Sequence, residues 1–189
     1  RQIGCGRVAA STGRTVVLAL AVGVAVGTFD LALERFTPWG EHVEALNRAA
    51  GYTWANVALP WSLPHYLHAS ILSECAFRLF AIVVPAWLVL RLLKGRFEAP
   101  VFWSFALLSA WIEPLIKAIA VRKLPLFGMT PLETAVNLFA VAEQLLFAWM
   151  LRRYGWSAPI LARLGYYLLV RVFIGYLYPP GSIMYPGPH

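Results

Sequence analysis

Charged side chains are the scarcest feature of this sequence. They make up 13% of the 189 residues, whereas 60% are hydrophobic, and the mean hydropathy is +0.65. Soluble domains carry charge on about a quarter of their residues and do not need so much apolar surface. The composition therefore excludes a water-soluble globular domain and indicates a protein whose solvent is the lipid bilayer.

Acidic residues and cysteines are also few. Nine Asp and Glu stand against 16 Lys and Arg, but the basic residues flank apolar runs instead of forming one patch, so we expect no nucleic-acid partner. Cys5 lies in a polar segment and Cys75 in an apolar run, which argues against a disulfide between them. The sequence has no Gly-rich phosphate loop, Ser-His-Asp set or Cys-x-x-Cys pair. The usual signatures of nucleotide enzymes, serine hydrolases and thiol oxidoreductases are therefore missing.

Long apolar runs are what the sequence does have. A helix needs roughly 20 apolar residues to cross the hydrocarbon layer, and five stretches are long enough: 15–33, 63–90, 101–121, 131–151 and 158–178. They predict an all-α fold, a single polytopic bundle of five transmembrane helices. Residues 38–50 predict a short amphipathic segment in the membrane interface, and the Pro- and Gly-rich residues 179–189 predict an irregular tail.

Basic residues at the ends of these stretches predict the orientation. Eight lie on one side of the predicted bundle and four on the other. Because Lys and Arg are enriched on the cytoplasmic side, we expect a protein of the bacterial inner membrane with a cytoplasmic N-terminus and a C-terminus on the opposite side. The larger set is Arg1, Arg7, Arg14, Arg91, Lys94, Arg96, Arg152 and Arg153, and the smaller set is Arg35, Arg48, Arg122 and Lys123.

Ionisable residues inside the predicted spans are the candidates for function, because a charge at the bilayer centre costs at least about 2.5 kcal/mol unless it is paired or hydrated. The set is Glu74, Arg78, Glu113, Lys117, Glu143, Arg163 and Arg171. Glu74 with Arg78, and Glu113 with Lys117, are four residues apart, so each pair can neutralise its charges within one helix. Pro114 predicts a kink beside the second pair.

The last span carries a basic stripe without an acid of its own. Arg163, Tyr167 and Arg171 follow one another at four-residue spacing, and Glu143 on the preceding span is the natural partner of these cations. Two interpretations stay open at this point. The buried charges either hold the helices together by pairing, or line a polar cavity in which chemistry or transport takes place.

Two histidines at the start of the second span are weak candidates for a metal site. His65 and His68 would need further ligands from another helix, and the sequence offers none at a recognisable spacing. We therefore expect no cofactor, and zinc only if the chain is a protease.

Three segments resemble the motifs of one membrane-protein family. Residues 73–78, SECAFR, are similar to an EExxxR motif, and residues 105–109, FALLS, are similar to an FxxxH motif. Residues 147–167 contain APILAR, which is similar to an APILAH segment that leads into HxxxN. In this order they resemble the CAAX protease and bacteriocin-processing (CPBP, or Abi) family over about half of the chain.

The resemblance implies an intramembrane peptidase site, in which the first Glu of the first motif and two motif histidines activate a water molecule. The last Asn or Asp would assist. Those positions hold other residues in this chain. The replaced positions are Ser73, Ser109, Arg163 and Tyr167, and the retained motif residues are Glu74, Arg78 and Phe105.

The replacement at Arg163 has the clearest chemical consequence. A guanidinium stays protonated and has no lone pair to offer a metal. We therefore expect Arg163 to take the place of the cation and to pair with a buried carboxylate. The candidate partners are Glu74, Glu113 and Glu143.

These replacements predict a non-catalytic, CPBP-like protein that acts by binding. Its expected partners are the lipid bilayer and another integral membrane protein, for which it would be a subunit, assembly factor or immunity-type partner. The alternative is an intramembrane metallo-endopeptidase, in which three of the acidic and imidazole groups converge on zinc. A lesser alternative is transport of an ion or proton along a hydrated path through the bundle.

Overall fold

Every regular element that the structure describes is helical. The computed structural model describes residues 12–38, 60–112, 114–116 and 130–173. The elements are α1 (Thr12–Phe36), α2 (Ser62–Glu74), the π-helix π1 (Cys75–Val83), α3 (Val84–Leu92), α4 (Glu98–Ala110), α5 (Pro131–Tyr154), α6 (Ser157–Tyr167) and the π-helix π2 (Leu168–Phe173).

Four helical segments are long and apolar enough to cross a membrane. They are Gly13–Phe36, Ser62–Leu92, Glu98–Ile116 and Pro131–Tyr154, of 24, 31, 19 and 24 residues. The prediction of an all-α protein with apolar helices of spanning length is confirmed for these four. The fifth predicted span is helical over the 11 residues of α6 and the six of π2.

Several predicted features fall on residues that the structure does not describe. These are most of the interfacial segment (39–50), the tail 179–189, the last residues of the fifth span, and the pair Glu113 and Lys117. Near Pro114, the predicted kink position, α4 ends at Ala110, Trp111 lies in a turn, and Ile112 and residues 114–116 are again helical.

Local sequence explains where the helices begin and end. Thr130 and Glu133 form a capping box at the start of α5, in which the Thr130 side chain accepts a hydrogen bond from the Glu133 backbone and the Glu133 carboxylate accepts one from the Thr130 backbone. Gly95 (φ 79°) and Gly155 (φ 87°) take left-handed backbone conformations in the turns after α3 and α5. These tight turns place consecutive helices side by side in opposite directions.

Helix α6 is the centre of the described bundle. It packs against α1, α2 and α5, while α4 lies between α5 and the π1–α3 region. The buried core around α6 consists mainly of small side chains, among them Ala19, Ala158 and Ala162, together with Phe147 and Met150. Small residues allow close helix approach, and this close packing drives association where lipid removes the usual hydrophobic gain.

Candidate functional site

Two arginines share one buried glutamate in the interior of the bundle. Arg163 Nε donates a hydrogen bond to Glu74 Oε1 at 2.7 Å, and Arg78 Nε lies 3.2 Å from Glu74 Oε2. The side chains of Glu74 and Arg78 are fully buried, and that of Arg163 is 10% exposed. We call these three residues the ion cluster. The ion cluster connects α2 and π1 with α6. Its two bonded residues Glu74 and Arg163 are 89 residues apart in sequence.

Helix α5 supplies two further contacts to the ion cluster. Arg78 Nη2 donates a hydrogen bond to Gln144 Oε1 at 2.7 Å. The ring of Phe147 lies 5.9 Å from the Arg78 guanidinium carbon and 5.1 Å from that of Arg163, within cation–π distance of both. Gln144 and Phe147 are three residues apart, so one face of α5 presents both to the arginines.

A π-helix carries Arg78 and begins directly after Glu74. The Val84 N–H donates to the Leu79 carbonyl, five residues back, which is the π-helical hydrogen bond. Pro85 follows at the start of α3 and has no backbone N–H. It therefore cannot donate an α-helical hydrogen bond to the last turn of π1. The serine hydroxyl of Ser109 on α4 donates to the Phe77 carbonyl of π1 at 2.8 Å. Ser109 therefore attaches α4 to the segment that holds Arg78.

A second polar contact lies between α1 and α6. The Tyr166 hydroxyl donates a hydrogen bond to Asp30 Oδ2 at 2.6 Å. Arg171 interacts electrostatically with Tyr166, and half-buried Glu143 interacts with Tyr166 and with both arginines of the ion cluster. Ionisable groups thus continue from the ion cluster towards the last described turns of the chain.

Some donors and acceptors of the ion cluster have no hydrogen-bond partner in the described part of the chain. They are Arg78 Nε and Nη1, Arg163 Nη2 and Glu74 Oε2, all of them buried. Arg78 Nε and Glu74 Oε2 face each other at 3.2 Å and attract by charge. Arg78 Nη1 and Arg163 Nη2 also lack a hydrogen-bond partner there, which is uncommon for buried polar atoms.

The structure brings some of the predicted site residues together and separates others. Glu74 and Arg78 form the expected i,i+4 pair, and Arg163 bonds directly to Glu74, one of its three predicted partners. Glu143, the partner that spacing favours, interacts electrostatically with Arg163 as well. Arg171 lies in π2, after the change from α6 at Leu168, and interacts electrostatically with Tyr166.

The remaining candidate residues lie outside the ion cluster. Tyr167 packs its ring against Tyr66 at 5.4 Å and against Tyr166 at 5.7 Å, and Ser73 is half-buried. His65 and His68 are exposed. Among the described residues, no group of three or more His, Cys, Asp or Glu side chains is arranged to hold a metal ion.

Sequence reasoning missed three contributors to this region. Gln144 and Phe147 look like ordinary residues of an apolar helix, and no local pattern distinguishes them. Asp30 had a usable signal, since it is an acidic residue inside the first predicted span. The π-helices have no recognised sequence signal except Pro85.

Comparison of the chain with protein-family models, with curated proteins and with solved structures finds no match. The resemblance of residues 73–78, 105–109 and 147–167 to CPBP motifs therefore stays a prediction.

Proposed function

We propose that the chain is a non-catalytic, CPBP-like membrane protein of five spans that acts by binding another integral membrane protein, as a subunit, assembly factor or immunity-type partner. The observation that carries the proposal is the contact of Arg163 Nε with Glu74 Oε1 at 2.7 Å in the interior of the bundle. Under the resemblance, Arg163 stands where a relative would have a catalytic histidine.

Charge explains why this contact favours binding over hydrolysis. A protonated guanidinium neutralises Glu74, repels a divalent metal and offers no lone pair to a proton or ion. The Ser109 hydroxyl, at the other histidine position, is engaged with the Phe77 carbonyl. Both groups act as fixed structural contacts, so the ion cluster works as a clamp that sets the relative positions of α2, π1 and α6.

Two features that do not depend on catalysis support a protein partner: the outer surface of the bundle and the tail. A clamped bundle offers a rigid surface, and the tail 179–189 adds an uncharged Pro-, Gly- and Tyr-containing segment apart from His189. Such a segment lacks the pattern of a span or of an amphipathic helix. Its composition suits an extended stretch held by a neighbouring protein.

Site-directed photo-crosslinking in native membranes tests the binding proposal. A photoreactive residue at Phe80 or Trp87, both exposed on the outside of the described bundle, or at Tyr185 in the tail, should give a protein adduct of one defined mass. The same residue at buried Ile82 is the control and should give none. If every position yields only lipid adducts and the chain elutes alone in mild detergent, the binding proposal fails.

Metal analysis and one substitution test the non-catalytic part. We expect the purified full chain to hold no stoichiometric zinc, and Arg163→His to lower its thermal midpoint and weaken the partner crosslink, because an imidazole does not replace the charge-assisted bond to Glu74. One zinc per chain, or Arg163→His with unchanged fold and crosslinking, would contradict the clamp. Peptide cleavage abolished by Glu74→Ala would favour the metallo-endopeptidase instead.

A further inference from the structure

Five basic side chains lie at one end of the described bundle, in the turn after α3 and in the helix ends beside the turns that follow α3 and α5. They are Arg91, Lys94, Arg96, Arg152 and Arg153, and we call them the basic face. We propose that the basic face binds the phosphate group of an anionic phospholipid. This inference goes beyond the proposed function, because binding of a membrane protein does not require recognition of a particular lipid.

A contact between α4 and α5 shows that the two turns lie at the same end. The guanidinium carbon of Arg152, near the end of α5, lies 5.1 Å from the centre of the Phe102 ring, near the start of α4. The turn that carries Lys94 and Arg96 leads directly into α4. Positive charges from two separate parts of the sequence therefore act on the same region of the membrane surface.

The charges of the basic face are not neutralised within the described ranges. None of its five members forms an ion pair with a carboxylate there, and Glu98 is the one acidic residue of the segments 91–98 and 152–156. Aromatic rings hold the arginines instead, as Phe102 does for Arg152 and as Tyr154 does for Arg153 at 5.9 Å. A ring has no net charge, so it orients a guanidinium without cancelling the positive charge.

The chemistry of these side chains suits a phosphate. A guanidinium presents its N–H groups as a planar fork that matches two phosphate oxygens, and an ammonium adds a point charge. Lys94, Arg96 and Arg153 are exposed, and Arg152 is half-buried. A phosphate can therefore reach the basic face from outside, without a cavity in the bundle.

The surroundings of the basic face favour a phospholipid over a free anion. The spanning-length segments Ser62–Leu92 and Pro131–Tyr154 end here, and Glu98–Ile116 begins here. Lipid phosphates lie at this level once such helices cross a bilayer. The neighbouring side chains of Leu92 and Phe97 are apolar and exposed, so they can contact acyl chains while the basic residues contact the phosphate.

Native mass spectrometry of the purified full chain in mild detergent tests the proposal. The probes are dioleoyl phosphatidylglycerol, which is anionic, and dioleoyl phosphatidylcholine, which has the same acyl chains and no net charge. We expect the apparent Kd for the anionic lipid to be at least about fivefold lower, since each basic residue near an anionic lipid contributes attraction. Inorganic phosphate at the same concentration, which has the charge without the chains, should not displace the lipid.

Variants of α5 locate the binding. Arg152→Gln should weaken binding of phosphatidylglycerol about fivefold and leave binding of phosphatidylcholine unchanged, because it removes one basic charge. Arg152→Gln combined with Arg153→Gln should weaken it about 25-fold, since two such charges are lost.

Arg35→Gln is the matched control, because it removes the same charge from an exposed position at the other end of the bundle. Gly23 lies against Ala162 and Gly27 against Val170, so α1 and α6 run in the same direction. The last turn of α1, which holds Arg35, is therefore far from the start of α6 and from the basic face. Binding of phosphatidylglycerol to this variant should equal that of the wild type.

Four results would overturn the proposal. They are equal binding of the two lipids to the wild type, displacement of phosphatidylglycerol by inorganic phosphate, equal weakening by Arg35→Gln and Arg152→Gln, or a protein adduct in place of lipid adducts from a photoreactive residue at position 96 in native membranes. The lipid comparison uses the unmodified chain, so it decides the question even if a variant does not fold. Failure here leaves the metal analysis and the crosslinks at Phe80 and Tyr185 of the proposed function untouched.

Discussion

Helix α6 makes two unlike contacts on its two sides. Towards α2, π1 and α5 it presents Arg163, which enters the ion cluster through directed bonds to a buried carboxylate. Towards α1 it presents Gly165 and the backbone around Ala162, where the two helices nearly touch. We call this second contact, made by Gly23, Gly27 and Gly165, the glycine seam.

Sterics rather than charge define the glycine seam. A Cβ atom added to Gly23 would collide with the Ala162 carbonyl oxygen and lie 2.7 Å from its carbonyl carbon. One added to Gly165 would lie 2.7 Å from the Leu20 carbonyl oxygen. Backbone atoms cannot rotate out of the way as side chains do, so only glycine permits this helix separation.

The comparison shows two ways to position a helix in lipid. Burying the ion cluster costs free energy, because three charges lose their hydration. The cluster therefore contributes more to the relative positions of the helices than to folding stability. The glycine seam needs no desolvation and depends on shape alone. The two regions should therefore fail under different substitutions, as the following predictions state in order of decreasing effect.

The largest effect is expected when the shared carboxylate loses its charge. Glu74→Gln leaves two buried guanidinium groups without the carboxylate that both of them contact directly, which should cost about 3–5 kcal/mol of folding stability. Size-exclusion chromatography and thermal unfolding in mild detergent would show loss of the folded form. Glu98→Gln makes the same change at the partly exposed start of α4 and should cost at most about 1 kcal/mol.

A combined variant sharpens this prediction. Replacing all three charges, as Glu74→Leu, Arg78→Leu and Arg163→Leu together, should recover much of the stability that Glu74→Gln loses, because no guanidinium group is then buried without the carboxylate it contacts. Equal stability of Glu74→Gln and Glu98→Gln would show that the ion cluster does not restrain the bundle.

A smaller loss is expected from the glycine seam. Gly23→Ala forces α1 away from Ala162 and should cost about 1–3 kcal/mol, the usual range for overpacking. Gly13→Ala is the matched control, since no atom lies within 4 Å of its added Cβ, and it should be neutral or stabilising by up to about 1 kcal/mol. Unfolding by sodium dodecyl sulfate would measure both, and the same sign for both variants would refute the seam.

The smallest effect is expected at Ser109. Ser109→Ala removes the hydrogen bond to the Phe77 carbonyl and should cost about 0.5–1.5 kcal/mol without loss of fold. Ser104→Ala, on the exposed side of the same helix, should stay within about 0.5 kcal/mol of the wild type. Thermal unfolding of the pair in one detergent would resolve the difference, and an equal response would leave Ser109 without a role in holding π1.

Sequence reasoning reached the ion cluster only in part. Spacing predicted the pair of Glu74 and Arg78, because i,i+4 residues of a helix are neighbours whatever the rest of the fold does. It also identified Arg163 as a cation that needs an acid. The choice of Glu74 over Glu143 depends on how α2 and α6 pack, and no local pattern encodes a contact across 89 residues.

The sequence by itself determined that the chain is helical, apolar and matched in length to a bilayer, because those properties are summed over local runs of residues. It also determined which charges need partners, since their cost in lipid does not depend on the fold. The tertiary structure alone decided which carboxylate receives Arg163 and which glycines meet a neighbouring backbone. Both depend on distances between helices to within an ångström, and such distances arise only when the whole bundle packs.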